Sequence, residues 1–240
     1  GIRFAPASGR PLYTLEELFP ALRDELVFIG DNGGAIRWKG QNLFTSEMSP
    51  EGWRALNRLT REQGDIAVLC GLESAYVERP FAVHDAVLRH FYTKIEYVDR
   101  LEDVAAPADK FTIYLPQHNA QQAYDTVYAS QQSIYSVAVA GECWVDIMNP
   151  GVHKGAALQT LGQLWGLPSE SMMAFGDTYN DAEMLQTVRY GFLMENGSEP
   201  LRQKVPFLAP SHREAGVMQV LHRVLAQNGC VCPEDFVPAH

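Results

Sequence analysis

The alternation of apolar and polar positions divides the chain into three textures. In the first, residues 2–5 (IRFA) and 26–30 (LVFIG) are short apolar runs of strand length. Between them lie the polar turn ASGRP and a segment that predicts a helix over residues 13–22. There, Thr14 followed three positions later by Glu17 has the pattern of a capping box. The stretch AIRWKGQNLF alternates about Lys39-Gly40 and predicts a hairpin. Strand, helix, strand in this order predicts a parallel sheet with crossover connections.

After Phe44 neighbouring strands dominate. IAVLCG, SAYVER, KIEYV, DKFTIYL, SIYSVAVAG and CWVDIMNP all have strand patterns, interrupted by helical segments at 50–63, 83–91 and 119–129. This predicts an α+β unit with an antiparallel sheet. From His153 the first texture returns: a helix over 154–165, a strand over 171–175, a helix beginning near Asn180 and a strand over 190–194. A helix over 199–204, the apolar run PFLAP and a last helix over 216–227 complete the chain. The architecture expected is α/β, a Rossmann-like parallel sheet made from residues 1–46 and 151–240, with an α+β domain, residues 47–150, inserted between the two parts.

Bulk properties narrow the function classes. A net charge of −10 across 240 residues argues against nucleic acid as a partner, because phosphate backbones are held by clustered Lys and Arg. No apolar run has bilayer-spanning length and no signal peptide is visible, so no membrane association is expected. The four cysteines, Cys70, Cys143, Cys230 and Cys232, have no disulfide-framework spacing. A cytoplasmic protein is expected, and nothing calls for an obligate protein partner.

Three polar stretches follow or flank the α/β strands: ASGRP (7–11), GVHKG (151–155) and GDTYND (176–181). Together they supply a hydroxyl, an ammonium and a pair of carboxylates, which is what a phosphoryl group and a divalent cation require of a common site. Each also has a plain reading, as a tight turn, a first-turn lysine and a helix cap.

ASGRP, GVHKGAAL and AFGDTYNDAEML resemble motifs II, III and IV of the haloacid dehalogenase superfamily of phosphohydrolases. The position of the inserted unit, with DNGG before it and CWVDIMNPGVHKG after it, resembles the Cof-type branch with a class IIB cap. The resemblance covers essentially the whole chain. It implies that Ser8 and the backbone of Gly9 donate to phosphoryl oxygens and that Lys154 neutralises charge on the phosphate and on the nucleophilic carboxylate. Asp177 would bind Mg²⁺, Asn180 would contact the substrate phosphate, and Asp181 would orient Lys154 or a metal-bound water. One departure stands out. The family's Asp-x-Asp motif, nucleophile and general acid–base, does not occur in these residues, and we expect it on a strand preceding residue 1.

The activity implied is a Mg²⁺-dependent phosphatase acting through an aspartyl-phosphate on a small phosphorylated metabolite, often a sugar phosphate in this branch. Two rivals remain open: a phosphotransferase or phosphomutase of the same superfamily, and a phosphometabolite-binding homologue without catalysis. A receiver-type phospho-acceptor domain is disfavoured by the length and the inserted unit. Other residues have balanced readings. His153 is expected at a helix surface, Asn32 as a turn or a support of the site, Arg10 toward an anion or a surface carboxylate, and Trp144 and Tyr76 in the core.

Overall fold

A computed structural model describes residues 1–239, which form two compact units, Gly1–Val152 and one beginning at His153.

The first unit holds two sheets. Strands β1 (Val27–Gly30), β2 (Ala35–Trp38) and β3 (Gln41–Thr45) form an antiparallel meander. Lys39 and Gly40 both adopt positive φ, 51° and 72°, the geometry that a two-residue hairpin turn needs, so this turn is as its sequence predicts. The parallel pairing expected here is present as a short ladder of backbone bonds against β1. Residues 2–5 are exposed and make no strand of their own, but the Val27 amide donates to the Phe4 carbonyl at 3.0 Å, the Ile29 amide to the Pro6 carbonyl at 2.9 Å and the Ser8 amide to the Ile29 carbonyl at 3.0 Å, with Ala7 and Ile29 bridged in parallel. Helix α1 (Leu12–Leu18) starts one residue early and stops short of the predicted end, giving way to a 3₁₀ turn at Pro20–Leu22. Its cap is Pro11, not Thr14. Thr14 lies buried inside the helix, its hydroxyl accepting from the Thr93 amide at 3.1 Å, so the Thr14/Glu17 capping box is absent.

The second sheet has the order β6-β5-β4-β7-β9-β8, built from β4 (Ile66–Gly71), β5 (Ala75–Glu78), β6 (Ile95–Val98), β7 (Ala108–Tyr114), β8 (Ser136–Val139) and β9 (Trp144–Met148). It is antiparallel except where β5 and β6 run parallel, because a helical crossover rather than a turn connects them. Each of its faces carries a core. On one, Leu69, Phe111, Ile113, Val145 and Ile147 pack with Trp53 and Leu56 of α2 (Pro50–Gln63). Ser49 caps that helix by accepting the Gly52 amide, and Gly64 ends it at φ 75°. On the other face Val68, Cys70, Val77, Tyr114 and Trp144 pack with Leu88 and Tyr92. There the predicted helix 83–91 resolves into a 3₁₀ stretch, Arg79–His84, and the single α-turn α3 (Asp85–Leu88). The helix expected over 119–129 likewise becomes α4 (Ala120–Thr126) followed by a 3₁₀ stretch.

The second unit is a four-stranded sheet, β10 (Met173–Gly176), β11 (Tyr190–Met194), β12 (Phe207–Ala209) and β13 (Val237–Pro238) in that order, parallel through β12. Helices α5 (Lys154–Trp165) and α6 (Ala182–Thr187) pack together, with α6 against β10 and β11. Phe192, Phe207, Phe236 and Val220 of α7 (Gly216–Ala226) belong to one apolar cluster. The helix expected over 199–204 is 3₁₀. No helix among the described residues is long and apolar enough to cross a membrane.

Candidate active site

Strand β10 ends at Gly176 and delivers the loop Asp177–Asp181 to the carboxyl edge of its sheet, where open α/β sheets bind ligands. Gly176 is required there: a Cβ would stand 2.5 Å from the Asp181 Cβ. Asp181 therefore folds back against the strand end. Its Oδ2 accepts the amides of Asp177 and Thr178 at 3.0 and 3.1 Å, and its Oδ1 accepts Lys154 Nζ at 2.6 Å. Thr178 and Asp181 form a capping box over the 3₁₀ turn Tyr179–Asp181, so the helix expected near Asn180 starts as α6 only at Ala182.

Lys154 is the first residue of α5, and both it and Asp181 are 5% exposed. A buried ammonium is tolerated because a carboxylate meets it. His153 is the N-cap, its Nδ1 accepting the Ala156 amide at 3.2 Å, which makes it a structural cap rather than a bare surface residue. Asn180 is exposed and accepts from the Thr178 hydroxyl at 2.6 Å.

Asp177 differs from its neighbours. It is exposed, and its carboxylate has no hydrogen-bond or ion-pair partner among the described residues. No cluster of three or more His, Cys, Asp or Glu suited to a metal occurs among them, Cys230 and Cys232 included. A single hard carboxylate fits Mg²⁺, which keeps several waters and takes few protein ligands. The same donor set would suit zinc poorly.

The first unit presents its own polar cluster. The turn Ser8–Arg10 lies against Asp31-Asn32-Gly33, three consecutive residues at positive φ (49°, 56° and 102°), a conformation Asp and Asn tolerate better than other side chains. Asn32 Nδ2 donates to Asp146 Oδ2 at 2.9 Å, and the Thr112 hydroxyl donates to Asp146 Oδ1 at 2.8 Å. Lys110 Nζ donates to the Gly9 carbonyl at 2.6 Å and lies 3.0 Å from Asp31 Oδ1. Burial opposes the Lys110 charge, yet Asp146 and Asp31 outweigh it and hold its pKa well above the ordinary value. Asp31 is pushed up by burial despite Lys110, and burial lifts the neighbouring Cys70 thiol to about 12. Arg10 projects over the Phe91 ring, 5.8 Å from its centroid, a cation–π contact rather than either expected partner.

Lys154 and Asp181 are thus directly bonded, with Asp177 and Asn180 on the same loop, while Ser8 and Gly9 stand on a turn of the first unit. Sequence reasoning assigned no site role to Lys110, Asp31 or Asp146. Strand periodicity contained a signal. In DKFTIYL, Lys110 shares a parity with Thr112 and Tyr114, so a lysine points into a face that must be buried.

Asp109, also fully buried, leaves both carboxylate oxygens without a hydrogen bond among the described residues. Burial, reinforced by Asp31, raises its pKa well above the usual range. The unfolded chain ionises such a group near pH ~4. Between that point and the folded pKa the folded state holds the extra proton, so the stabilisation is full below pH ~4 and is lost as pH rises through the folded pKa. Asp109→Asn removes this titration. Thermal melts from pH 4 to 7 should decline less steeply than those of the native protein and end at a higher Tm at pH 7. An unchanged slope would assign the pH dependence to another group.

A family model described as haloacid dehalogenase-like hydrolase matches residues 1–221. The chain belongs to that family. It is 31% identical over 228 residues to 5-amino-6-(5-phospho-D-ribitylamino)uracil phosphatase YbjI of Escherichia coli strain K12, a match covering 94% of this chain and 84% of the relative. The crystal structure of SMU.1108c from Streptococcus mutans UA159 superimposes with a TM-score of 0.84 at 28% identity, over 94% of this chain and 86% of that one. BT4131, a sugar phosphatase of subclass IIB of the superfamily, shares the fold with a TM-score of 0.75 at 18% identity, over 93% and 85%. The fold is accordingly the capped α/β fold of haloacid dehalogenase-like hydrolases, and the enzyme class is phosphoric monoester hydrolase.

Proposed function

We propose that this protein is a Mg²⁺-dependent phosphatase of small phosphorylated metabolites, working by the aspartyl-phosphate route of its family. The observation that carries the reading is the buried Lys154–Asp181 pair beside the exposed Asp177 carboxylate, which has no partner among the described residues. Lys154 supplies fixed positive charge where phosphoryl oxygens gain negative charge, in a setting shielded from water. Asp181 holds that ammonium in place and, through the Asp177 and Thr178 amides, fixes the backbone that presents Asp177. Asp177 is the residue that would hold Mg²⁺, which when bound screens the phosphate charge. Ser8 and the Gly9 amide donate to phosphoryl oxygens, and Asn180 binds the substrate phosphate. The attacking carboxylate is assigned to none of the 240 residues.

Residues 47–150 are assigned as the cap that closes over the substrate and selects its leaving group. The relative named for a phosphorylated ribitylaminouracil supports a substrate whose phosphate sits on a sugar or sugar-alcohol chain. A phosphate-release screen over sugar and sugar-alcohol phosphates, with and without Mg²⁺ and without any added acceptor, tests the proposal. Release that depends on Mg²⁺ is expected. Turnover only on adding a second sugar would favour a phosphotransferase, and binding without turnover would favour the non-catalytic alternative. Asp177→Asn should raise the Mg²⁺ concentration needed for half-maximal rate; an unshifted Mg²⁺ titration would remove Asp177 from the metal site.

A further inference from the structure

The turn Ser8–Arg10 is gripped through its carbonyls. The Asn32 amide donates to the Ser8 carbonyl and the Asp31 amide to the Arg10 carbonyl, both at 3.0 Å. Between them, Lys110 Nζ donates to the Gly9 carbonyl at 2.6 Å. In a trans peptide the N–H points opposite to its carbonyl. The Gly9 and Arg10 amides are therefore turned away from the groups that hold the turn. The Arg10 amide donates to Ser8 Oγ at 3.2 Å, which fills one acceptor position of the hydroxyl and leaves its proton free to donate elsewhere.

Two of these three grips are backbone contacts from the adjacent loop. The third comes from a side chain on β7, 101 positions away in sequence and only 2% exposed. The surroundings of Lys110 are over-determined. Asp31 lies at 3.0 Å and Asp146 at 3.8 Å, and Asp146 is itself fixed by Asn32 and Thr112. Packing alone gives no reason for a charge here, since an apolar residue of similar volume is often neutral or stabilising in place of a buried ion pair. An ammonium on the Gly9 carbonyl also polarises that peptide, which strengthens the Arg10 amide as a donor to Ser8 Oγ.

We infer that Lys110 is a positioning residue for phosphate binding: by fixing the Gly9 carbonyl it sets the Arg10 amide of the same peptide, and through that amide it orients the Ser8 hydroxyl as a donor to a phosphoryl oxygen. The inference rests on the phosphate-binding role of Ser8 and Gly9 proposed above. It ties a strand of the proposed cap, residues 47–150, to the turn that holds the substrate's phosphate.

The test is a double-mutant cycle with inorganic phosphate as the probe, its binding measured calorimetrically in Ser8→Ala, Lys110→Met and the combined variant, alongside Mg²⁺ affinity. Each single change should weaken phosphate binding about tenfold, the loss of one hydrogen bond to a charged group. The combined variant should be no weaker than either single one, because Lys110 acts through the same turn. Mg²⁺ affinity should not move. Additive losses, an unaltered phosphate affinity in Lys110→Met, or a parallel loss of Mg²⁺ affinity would each overturn the inference. If Ser8→Ala binds phosphate as the native protein does, the phosphate-binding reading of the turn fails first, and the inference with it. Should Lys110→Met not fold, the cycle runs in an Asp146→Asn background, which removes a stranded carboxylate.

Discussion

Lys154→Ala should lower turnover on the best phosphate ester by at least ~100-fold, comparable to removing one preorganised donor from a charge-stabilising site. The physical basis is the position of the ammonium. It is 5% exposed at the first turn of α5 and is held by Asp181 at 2.6 Å, so its charge is neither dispersed by water nor free to wander. Developing negative charge on a phosphoryl group therefore meets a field that costs no reorganisation. A positively charged side chain also favours the bound phosphate before reaction, so KM should rise as well as kcat fall. Steady-state kinetics on native and variant protein at saturating Mg²⁺ check this. A change within a few-fold would make Lys154 a structural residue and withdraw it from the mechanism.

Asp181→Ala is expected to have the second large effect, on stability. The substitution leaves the Lys154 ammonium buried without a counter-charge, a loss of about 3–5 kcal/mol. It also strips the acceptor from the Asp177 and Thr178 amides, so the loop that carries Asp177 loses its anchor. Asp181→Asn retains an oxygen for those amides and should cost less. Denaturant unfolding of both variants against the native protein, with fluorescence reporting the unit that contains Trp165, gives the comparison. Equal stability of Asp181→Ala and native protein would show that Lys154 reaches water in solution and is not held as described.

These two residues also show how far local pattern reaches. Lys154 and Asp181 belong to two separate motif-like stretches of the sequence, and in the fold they are joined by an ion pair at 2.6 Å. The acidic loop stands out in the sequence by its density of polar residues after an apolar strand. The Lys110 cluster does not, because its members sit singly in sequence at 31, 110 and 146 and meet only when β7 and β9 pair in register beside the DNGG turn.

Periodicity alone determined α2, α5, β4, β11 and the Lys39-Gly40 hairpin, since each is fixed by residues within a few positions of one another: a cap, an amphipathic face, a turn that needs positive φ. The tertiary structure decided what those rules leave open. It placed Thr14 inside α1 rather than at its cap, shifted the parallel pairing with β1 from residues 2–5 to a ladder centred on a bridge at Ala7, joined β1 to β2 and β3 antiparallel and turned β5 and β6 parallel. Strand direction and register depend on which distant backbone satisfies each amide and carbonyl, and on which faces can share one core. That choice is made among segments tens of residues apart, where local periodicity carries no information.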